Sequence, residues 1–499
     1  MSEVVLPLQG AWVVTEWRLF WVGDGGTPTA GSPGLLGRWN DLDARERSLG
    51  LREGMPILVS PDSRVDPRLS AVLRHRDFMG KAEGTRETYA PCFRVFFTFL
   101  WRRGRNWDQA TRSDLEDWED WRQRGDGNPS LIVGSTWKKE LAALQLLYGI
   151  AKKLRFIAET PVVTRPVALP NGMVVDSPEL APGDVRNSCV KWLTPRAFRL
   201  WRDVGLAGML PDGLERLGWP GRNDGRDTAF ADFMYSSGLR RREAGTVLTM
   251  ELPELATRSY YSGWVGKAVA KRAGRFYYVS HPALQSVEVY RASTRQASIR
   301  RAQRAGSYER IPGLRVVEDV GRGRRVRWTE LDGRLREGHA NELTAAQRMR
   351  MFVRGEDGLE PAMVWLTETG MPMAYRSWTK TFERASDRCA AAGVRLYATP
   401  KMLRHSMALR VLVSLHHALD RRLGLSPSQR RLYEDAYGSV WTVVKDLLGH
   451  RSEETTREIY LEPVRGLQVE TLLEDADHPR NGEVLARLAE RTGLVLDVA

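Results

Sequence analysis

Three segments of the chain carry the residue types needed to break a phosphodiester. The first is Ser237-Gly238-Leu239-Arg240-Arg241-Arg242-Glu243, and the second is Thr399-Pro400-Lys401-Met402-Leu403-Arg404-His405-Ser406. The third starts at Leu447-Leu448-Gly449-His450 and runs through Thr455-Thr456 to Tyr460. Metal-free cleavage needs a nucleophile, cations around the non-bridging oxygens and an acid for the leaving alkoxide. Tyr460 offers a phenol, Arg240 and Arg404 offer guanidiniums, and His450 offers an imidazole. Arginine suits the cationic task because its planar fork makes two parallel charge-assisted bonds and stays protonated. No Asp/Glu cluster of the metal-ligating kind is evident, so no metal is expected.

Each residue has a blander reading. An isolated tyrosine on a helix is more often a core residue, and Tyr433 and Tyr437 are nearby substitutes, although neither follows the Leu-Gly-His corner. His405 is read as packing or hydrogen-bonding beside Arg404, and Arg241 and Arg242 as solvated or nucleic-acid-facing. His416 and His417 need no function.

The elements that must position these groups are helices and one hairpin. An apolar helix approaches Ser237. Gly449 ends a helix, and Ser452, with acidic residues behind it, starts another, placing His450 at a tight corner with Tyr460 two to three turns on. Tyr260–Ala270 and Arg275–Val279 are strand-like, with a turn expected at Lys271–Gly274. Earlier, Phe93, Phe96, Phe97 and Leu100 recur at the spacing of one helix face, with Pro91 expected to kink or delay that helix. Ser113 and Glu116 read as a capping box opening a helix with Leu115, Trp118 and Trp121, and Leu141, Leu144, Leu147 and Tyr148 form another apolar stripe. Prolines at 161, 166, 170, 178 and 182 should interrupt any regular element between about 159 and 187, marking a linker. The Arg-dense stretch 291–336 reads as a solvated charge run or a second nucleic-acid arm, and Val484–Leu494 as an amphipathic helix in the tail.

Composition sets the partner class. A chain of 499 residues favours two or more domains. Its 75 Lys and Arg against 62 Asp and Glu give a net charge of +13, which favours a polyanion such as nucleic acid. Cys92, Cys189 and Cys389 lie far apart without a CxxC spacing, arguing against a disulfide framework or a cysteine zinc site. No apolar run is long enough for a membrane span and no signal peptide opens the chain, so a soluble, cytoplasmic, nucleoid-associated protein is expected.

Taken together, the three segments resemble the boxes of the tyrosine recombinases, the phage-integrase family: the GLR-x-x-E segment, the H-x-L-R-H segment, and the LGH segment followed by TT and a late tyrosine. The resemblance covers roughly residues 70 to 465. It implies a mainly α fold with a small β-sheet or hairpin, in which a helical, SAM-like core-binding domain precedes a mixed α+β catalytic domain. The implied layout is an amino-terminal extension of unassigned role (1–66), the helical DNA-binding domain (67–158), the Pro-rich linker (159–187), the catalytic domain (188–465) and a tail (466–499). Within the catalytic domain, insertions are expected near 291–336 and 415–440.

Position by position, the resemblance makes Arg240 and Arg404 the clamps on the scissile phosphate, His450 the third-box histidine, Tyr460 the nucleophile and Glu243 the acidic brace. His405 is a supporting residue. The hairpin lysine that protonates the leaving 5′ oxygen is expected to be Lys271, with Lys267 as rival. Lys401 stands where histidine is commoner, and Tyr460 lies ten positions after His450, one more than is usual. The implied activity is cleavage and rejoining of double-stranded DNA attachment sites through a 3′-phosphotyrosyl link, with no metal or nucleotide cofactor. The implied assembly is a homotetramer on two duplexes, with room for an accessory directionality factor. Two alternatives stay open: a type IB topoisomerase or telomere resolvase with the same chemistry, and a catalytically idle DNA-binding relative.

Overall fold

A computed structural model describes residues 16–22, 45, 48–52, 54–128, 130–168, 174–182, 190–219, 221–271, 273–330, 332–417, 426–457 and 459–460. The expectations for Gly23–Pro33, for the 466–499 tail with its Val484–Leu494 helix, and for Cys189 lie outside the described residues. The chain divides into two compact units, Met1–Arg186 and Asn187–Ala499. No helix among the described residues is long and apolar enough to cross a membrane.

The first unit is a helical cluster with two small two-stranded sheets. Strands β1 (Arg18–Trp21) and β2 (Pro56–Val59) pair antiparallel. Helices α1 (Pro67–Arg74), α2 (Glu83–Arg102), α3 (Arg112–Gln123) and α4 (Gly134–Lys153) follow. The aromatic face anticipated on α2 is buried: Phe93, Phe96, Phe97 and Leu100 pack with Trp118, Leu144, Leu147 and Tyr148 in one core that also takes in Trp17.

Three local expectations are corrected here. Helix α2 runs unbroken through Pro91, because the apolar face on either side is buried and outweighs the lost backbone bond. The capping box of α3 is Thr111 with Asp114, two residues earlier than expected; Thr111 Oγ1 and the Asp114 carboxylate bond each other's backbone N–H. The Pro-rich stretch is not irregular: β3 (Thr164–Ala168) and β4 (Val174–Pro178) pair antiparallel. A two-stranded ribbon is all edge, so Pro166 and Pro178 can point their missing donors outward.

The second unit mixes helices with a hairpin and a five-stranded sheet. Its elements are α5 (Pro195–Gly205), α6 (Asp224–Ser237), α7 (Arg241–Gly245), β5 (Tyr260–Val265), β6 (Arg275–Ser280), α8 (His281–Tyr290) and α9 (Gln296–Arg304). Then come β7 (Arg315–Val320), β8 (Arg325–Glu330), β9 (Leu335–His339), β10 (Met351–Gly355) and β11 (Gly358–Pro361). Helices α10 (Ser377–Ala391), α11 (Pro400–His417), α12 (Pro427–Tyr437) and α13 (Val440–Leu448) complete it. The five strands order as β11-β10-β7-β8-β9, all neighbours antiparallel except β10 with β7. The main core joins α5, α6, β5, β6, α8, α10 and the start of α11 around Phe230, Phe233, Trp365, Trp378 and Phe382.

The hairpin strands are shorter than the sequence suggests. β5 stops at Val265 instead of Ala270, leaving the long connection 266–274 in place of a four-residue turn. Residues 291–336 are not a bare charge run either. A π-helical turn (Arg291–Arg295) joins α8 to α9, and the rest supplies β7, β8 and β9. Buried Val317, Val326 and Trp328 alternate there with charged residues of the exposed face, where Arg327 meets Asp319 and Arg325 meets Glu337.

Candidate active site

Two left-handed glycines set the geometry. Helix α6 ends at Gly238, φ 64°, whose N–H donates to the Met234 carbonyl at 2.9 Å. The reversal there makes Arg240 the N-cap of the next helix, α7, with Glu243 three positions on. Helix α13 ends in the same way at Gly449, φ 61°, and the His450 N–H reaches back to the Lys445 carbonyl at 3.0 Å. Ser452 Oγ then accepts from the Thr455 N–H at 3.2 Å, opening the helical stretch that carries Tyr460. The corner expected at His450 is formed.

The last carbonyls of α13 gather the arginines. Arg275 Nε donates to the Leu447 carbonyl at 3.1 Å, Arg404 Nη2 to that of Leu448, and Arg240 Nη2 to that of Gly449 at 3.3 Å. Helix carbonyls without intrahelical partners carry the negative end of the macrodipole, so three guanidiniums converge where a single turn would otherwise be unsatisfied. Arg404 also donates to the Gly238 carbonyl at 2.7 Å, tying the two glycine corners together.

Glu243 neutralises part of this charge. Its oxygens accept from Arg275 at 3.0 and 2.6 Å, from Arg240 Nη1 at 2.9 Å and from the Arg240 backbone N–H at 2.8 Å. Burial alone would raise its pKa; the Arg275 bonds, with the charges of Arg275, Arg240 and Arg404, overcome burial and hold it at about 2. For Arg404, burial and then the neighbouring Arg240 lower the pKa to about 9, against the pull of Glu243, so the group is still charged at neutral pH. Arg275 is the residue the sequence reading missed. Its only signal is a basic residue at an inward position of β6, opposite Val265.

A cleft of about 540 Å³ opens beside this cluster, lined among others by Arg240, Arg241, Lys271, Lys401, Arg404, His405, His450 and Ile459. Residues from all three sequence segments and from the hairpin connection therefore meet at one place. Lys401 and Lys271 are both exposed in the cleft, whereas Lys267, exposed in the same connection, does not line it. The connection is held from two sides. Arg242 donates to the carbonyls of Val269 at 2.8 Å and Ala270 at 3.1 Å, and the Ala268 N–H donates to the Asn341 carbonyl at 2.8 Å. Arg242 is thus a half-buried strut instead of a solvated residue; Arg241, also half-buried, bonds Thr379 Oγ1 and lies over the Tyr375 ring.

Tyr460 is fully buried against Trp192, Leu409, Leu412, Val444 and Leu448. Its hydroxyl is 2.5 Å from His405 Nδ1, and its ring lies parallel to that of His450 at 6.4 Å. Burial raises the phenol's pKa, and the charges of Arg404 and then Arg240 oppose that rise, so both guanidiniums act on the oxygen. His405 is pushed down to about 3 by burial, Lys401, Arg404 and His450, which makes it a neutral ring able to accept the phenolic hydrogen at Nδ1. It is therefore not a bystander beside Arg404. His450 Nδ1 lies 2.9 Å from the buried Thr456 hydroxyl, a bond that fixes the ring's orientation.

No protein-family model and no curated protein matches the sequence. Solved structures similar to this chain include the XerH site-specific recombinase bound to palindromic difH substrate in a post-cleavage complex, with a TM-score of 0.44, 12% identity, and coverage of 82% of this chain and 85% of that one. The Tn1549 transposon integrase in complex with circular intermediate DNA gives a TM-score of 0.43 at 14% identity over 81% of this chain and 98% of that one. A lambda integrase dimer bound to a COC′ core site gives 0.37 at 11%, over 78% and 94%.

Proposed function

We propose that this chain is a site-specific tyrosine recombinase that cleaves and rejoins duplex DNA through a 3′-phosphotyrosyl intermediate. The observation that carries the reading is the meeting of Arg240, Lys271, Lys401, Arg404 and His450 in one cleft, with the phenol of Tyr460 buried behind it on the cleft-lining His405. The scissile phosphate sits in that cleft, its non-bridging oxygens taken by the guanidinium N–H groups of Arg240 and Arg404 that the α13 carbonyls leave over. The bond from Tyr460 Oη to phosphorus forms as the bond to the 5′ oxygen breaks; the phenolic proton is released to water in the open cleft, and Lys271 Nζ delivers a proton to the 5′ oxygen. Lys401 keeps a positive hydrogen-bond donor at the place where histidine is commoner, and His450 adds another donor from the corner. No nucleotide is consumed, because the phosphotyrosine conserves the bond energy for attack by a 5′ hydroxyl.

The phenol begins buried on His405 with Ile459 facing the cleft, so cleavage requires the helical segment that carries Tyr460 to turn that residue outward. The same reading assigns residues 67–158 to gripping DNA, places a homotetramer on two duplexes with an accessory directionality factor as an optional partner, and sets the protein on the nucleoid in the cytoplasm. Tyr460→Phe tests it on a nicked suicide substrate built from a direct repeat flanking the gene. The covalent protein–DNA adduct disappears while binding to the site stays within about threefold, since one hydroxyl adds little to a phosphate-dominated interface. An adduct that survives the substitution reassigns the nucleophile.

A further inference from the structure

The outward face of the β5–β6 hairpin has no part in the chemistry described so far. Strand alternation buries Tyr261, Val265, Tyr277 and Val279 against the helices and turns Tyr260, Trp264, Phe276 and Tyr278 the other way. Three of these outward rings are well exposed: Tyr260 by 62%, Phe276 by 56% and Tyr278 by 46%. They form one patch, for Trp264 pairs with Phe276 in register, with ring centroids 4.8 Å apart, and Tyr278 pairs with Ser262 between Trp264 and Tyr260. Isolated exposed aromatics need no explanation, but a contiguous row on one sheet face marks a contact surface.

Its surroundings are cationic. The guanidinium of Arg324, in the β7–β8 turn, lies 5.1 Å over the Trp264 ring, with Arg322 beside it in the same turn. Lys267 and Lys271 project from the hairpin's own connection. Among the described residues no carboxylate forms an ion pair with Arg322, Arg324, Lys267 or Lys271, so their charge is not neutralised within the fold. Flat π-faces set among cations, on an open sheet, suit the faces of nucleobases over a phosphate chain. In a perfect duplex those faces are already stacked on one another, so the patch can take only bases that have left the stack.

We propose that the outward face of this hairpin binds unpaired bases next to the cleaved phosphate, holding them on Phe276, Tyr278 and Tyr260 while Arg324 and Arg322 follow the backbone. The proposal rests on DNA being the partner, but not on the identity of the nucleophile. It assigns to the chain a preference for bulged or locally melted DNA, and a role for the hairpin after strand cleavage, when bases beside the nick are free to leave the helix.

The full chain is titrated against three fluorescent probes of one sequence: a perfect duplex, the same duplex with a short bulge carrying 2-aminopurine, and the single strand. Stacking on exposed rings predicts about tenfold tighter binding of the bulged probe than of the perfect duplex, with a change in 2-aminopurine emission. Phe276→Ser combined with Tyr278→Ser abolishes that preference and leaves perfect-duplex affinity within about twofold. Phe276→Tyr, which keeps a ring, retains the preference. Equal wild-type affinity for bulged and perfect duplex overturns the proposal, as does a preference that survives the double substitution. So does a double variant whose only change is loss of self-association by light scattering, which would make this face an interface between copies of the chain. Failure to bind any of the probes removes the functional reading as well, whereas a Tyr460 adduct without a bulge preference removes this inference alone.

Discussion

Glu243 is a carboxylate with no exposed side-chain surface, placed among three guanidiniums, and its removal tests the site independently of DNA. Glu243→Gln leaves the charges of Arg275 and Arg240 facing each other across an amide, and stability should fall by about 3–5 kcal/mol in chemical denaturation. The pH dependence follows from the same bonds. Because the folded carboxyl titrates at about 2, below its ordinary value, the stability it contributes is complete above the unfolded pKa of roughly 4.5 and is lost as pH falls toward 2. His405 adds a second acid-sensitive contribution. Its folded pKa is lowered to about 3, so the unfolded chain takes up a proton as pH drops through roughly 6.5 and stability declines from there down to about 3. A denaturation series in which stability is flat from pH 7 to 3 contradicts both assignments. At this scale the sequence was informative where chemistry depends on neighbours in the chain: Arg240 with Glu243, and His450 with the glycine before it. It was silent on Arg275, whose partner Glu243 lies 32 positions away and whose role exists only once β6 faces α13.

The elements that hold the site are two helix ends, a hairpin connection and the turn that follows β9. Gly449 supplies a positive φ, and a Cβ there would meet Arg275 Cδ at 3.0 Å. Gly449→Ala should cost about 1 kcal/mol in stability from the left-handed backbone alone. It should depress adduct formation further, because the displaced Arg275 no longer braces Glu243. The turn after β9 touches the lysine connection directly through Asn341, and Arg348 anchors that turn by donating to Glu251 at 2.5 and 2.8 Å and to the Thr246 carbonyl at 3.0 Å. A Cβ on Gly266 would lie 2.9 Å from Asn341 Cα, so Gly266→Ala should push the connection off that turn and withdraw Lys271 from the cleft. Cleavage of normal DNA should drop at least about tenfold, while a 5′-phosphorothiolate, whose leaving group needs no acid, should be cut at nearly the wild-type rate. Equal losses on both substrates would mean that the substitution damages the site generally. Strand β8 was legible in principle: Arg325-Val326-Arg327-Trp328-Thr329-Glu330 alternates with the period of a half-buried strand. Counting its arginines as a charge run hides that period. Pro91 and the Pro166/Pro178 ribbon misled in the same way, since burial and edge position decide what a proline interrupts.

For the molecule as a whole, the net charge of +13 and the arginine-rich cleft make a quantitative demand on DNA binding. Each phosphate neutralised releases counterions, so six or more contacts imply a slope of about −5 or steeper for log K against log salt. A slope near zero would disconnect the charge from function. The division into two compact units, Met1–Arg186 and Asn187–Ala499, puts every cleft residue in the second. The central claim is that Tyr460 is the residue joined to DNA, and the most direct measurement is mass spectrometry of the trapped protein–DNA complex after nuclease and protease digestion. The account predicts a nucleotide attached through a 3′-phosphate to the peptide containing Tyr460. The nucleotide on any other peptide, or complete strand cleavage with no covalent peptide at all, would contradict it.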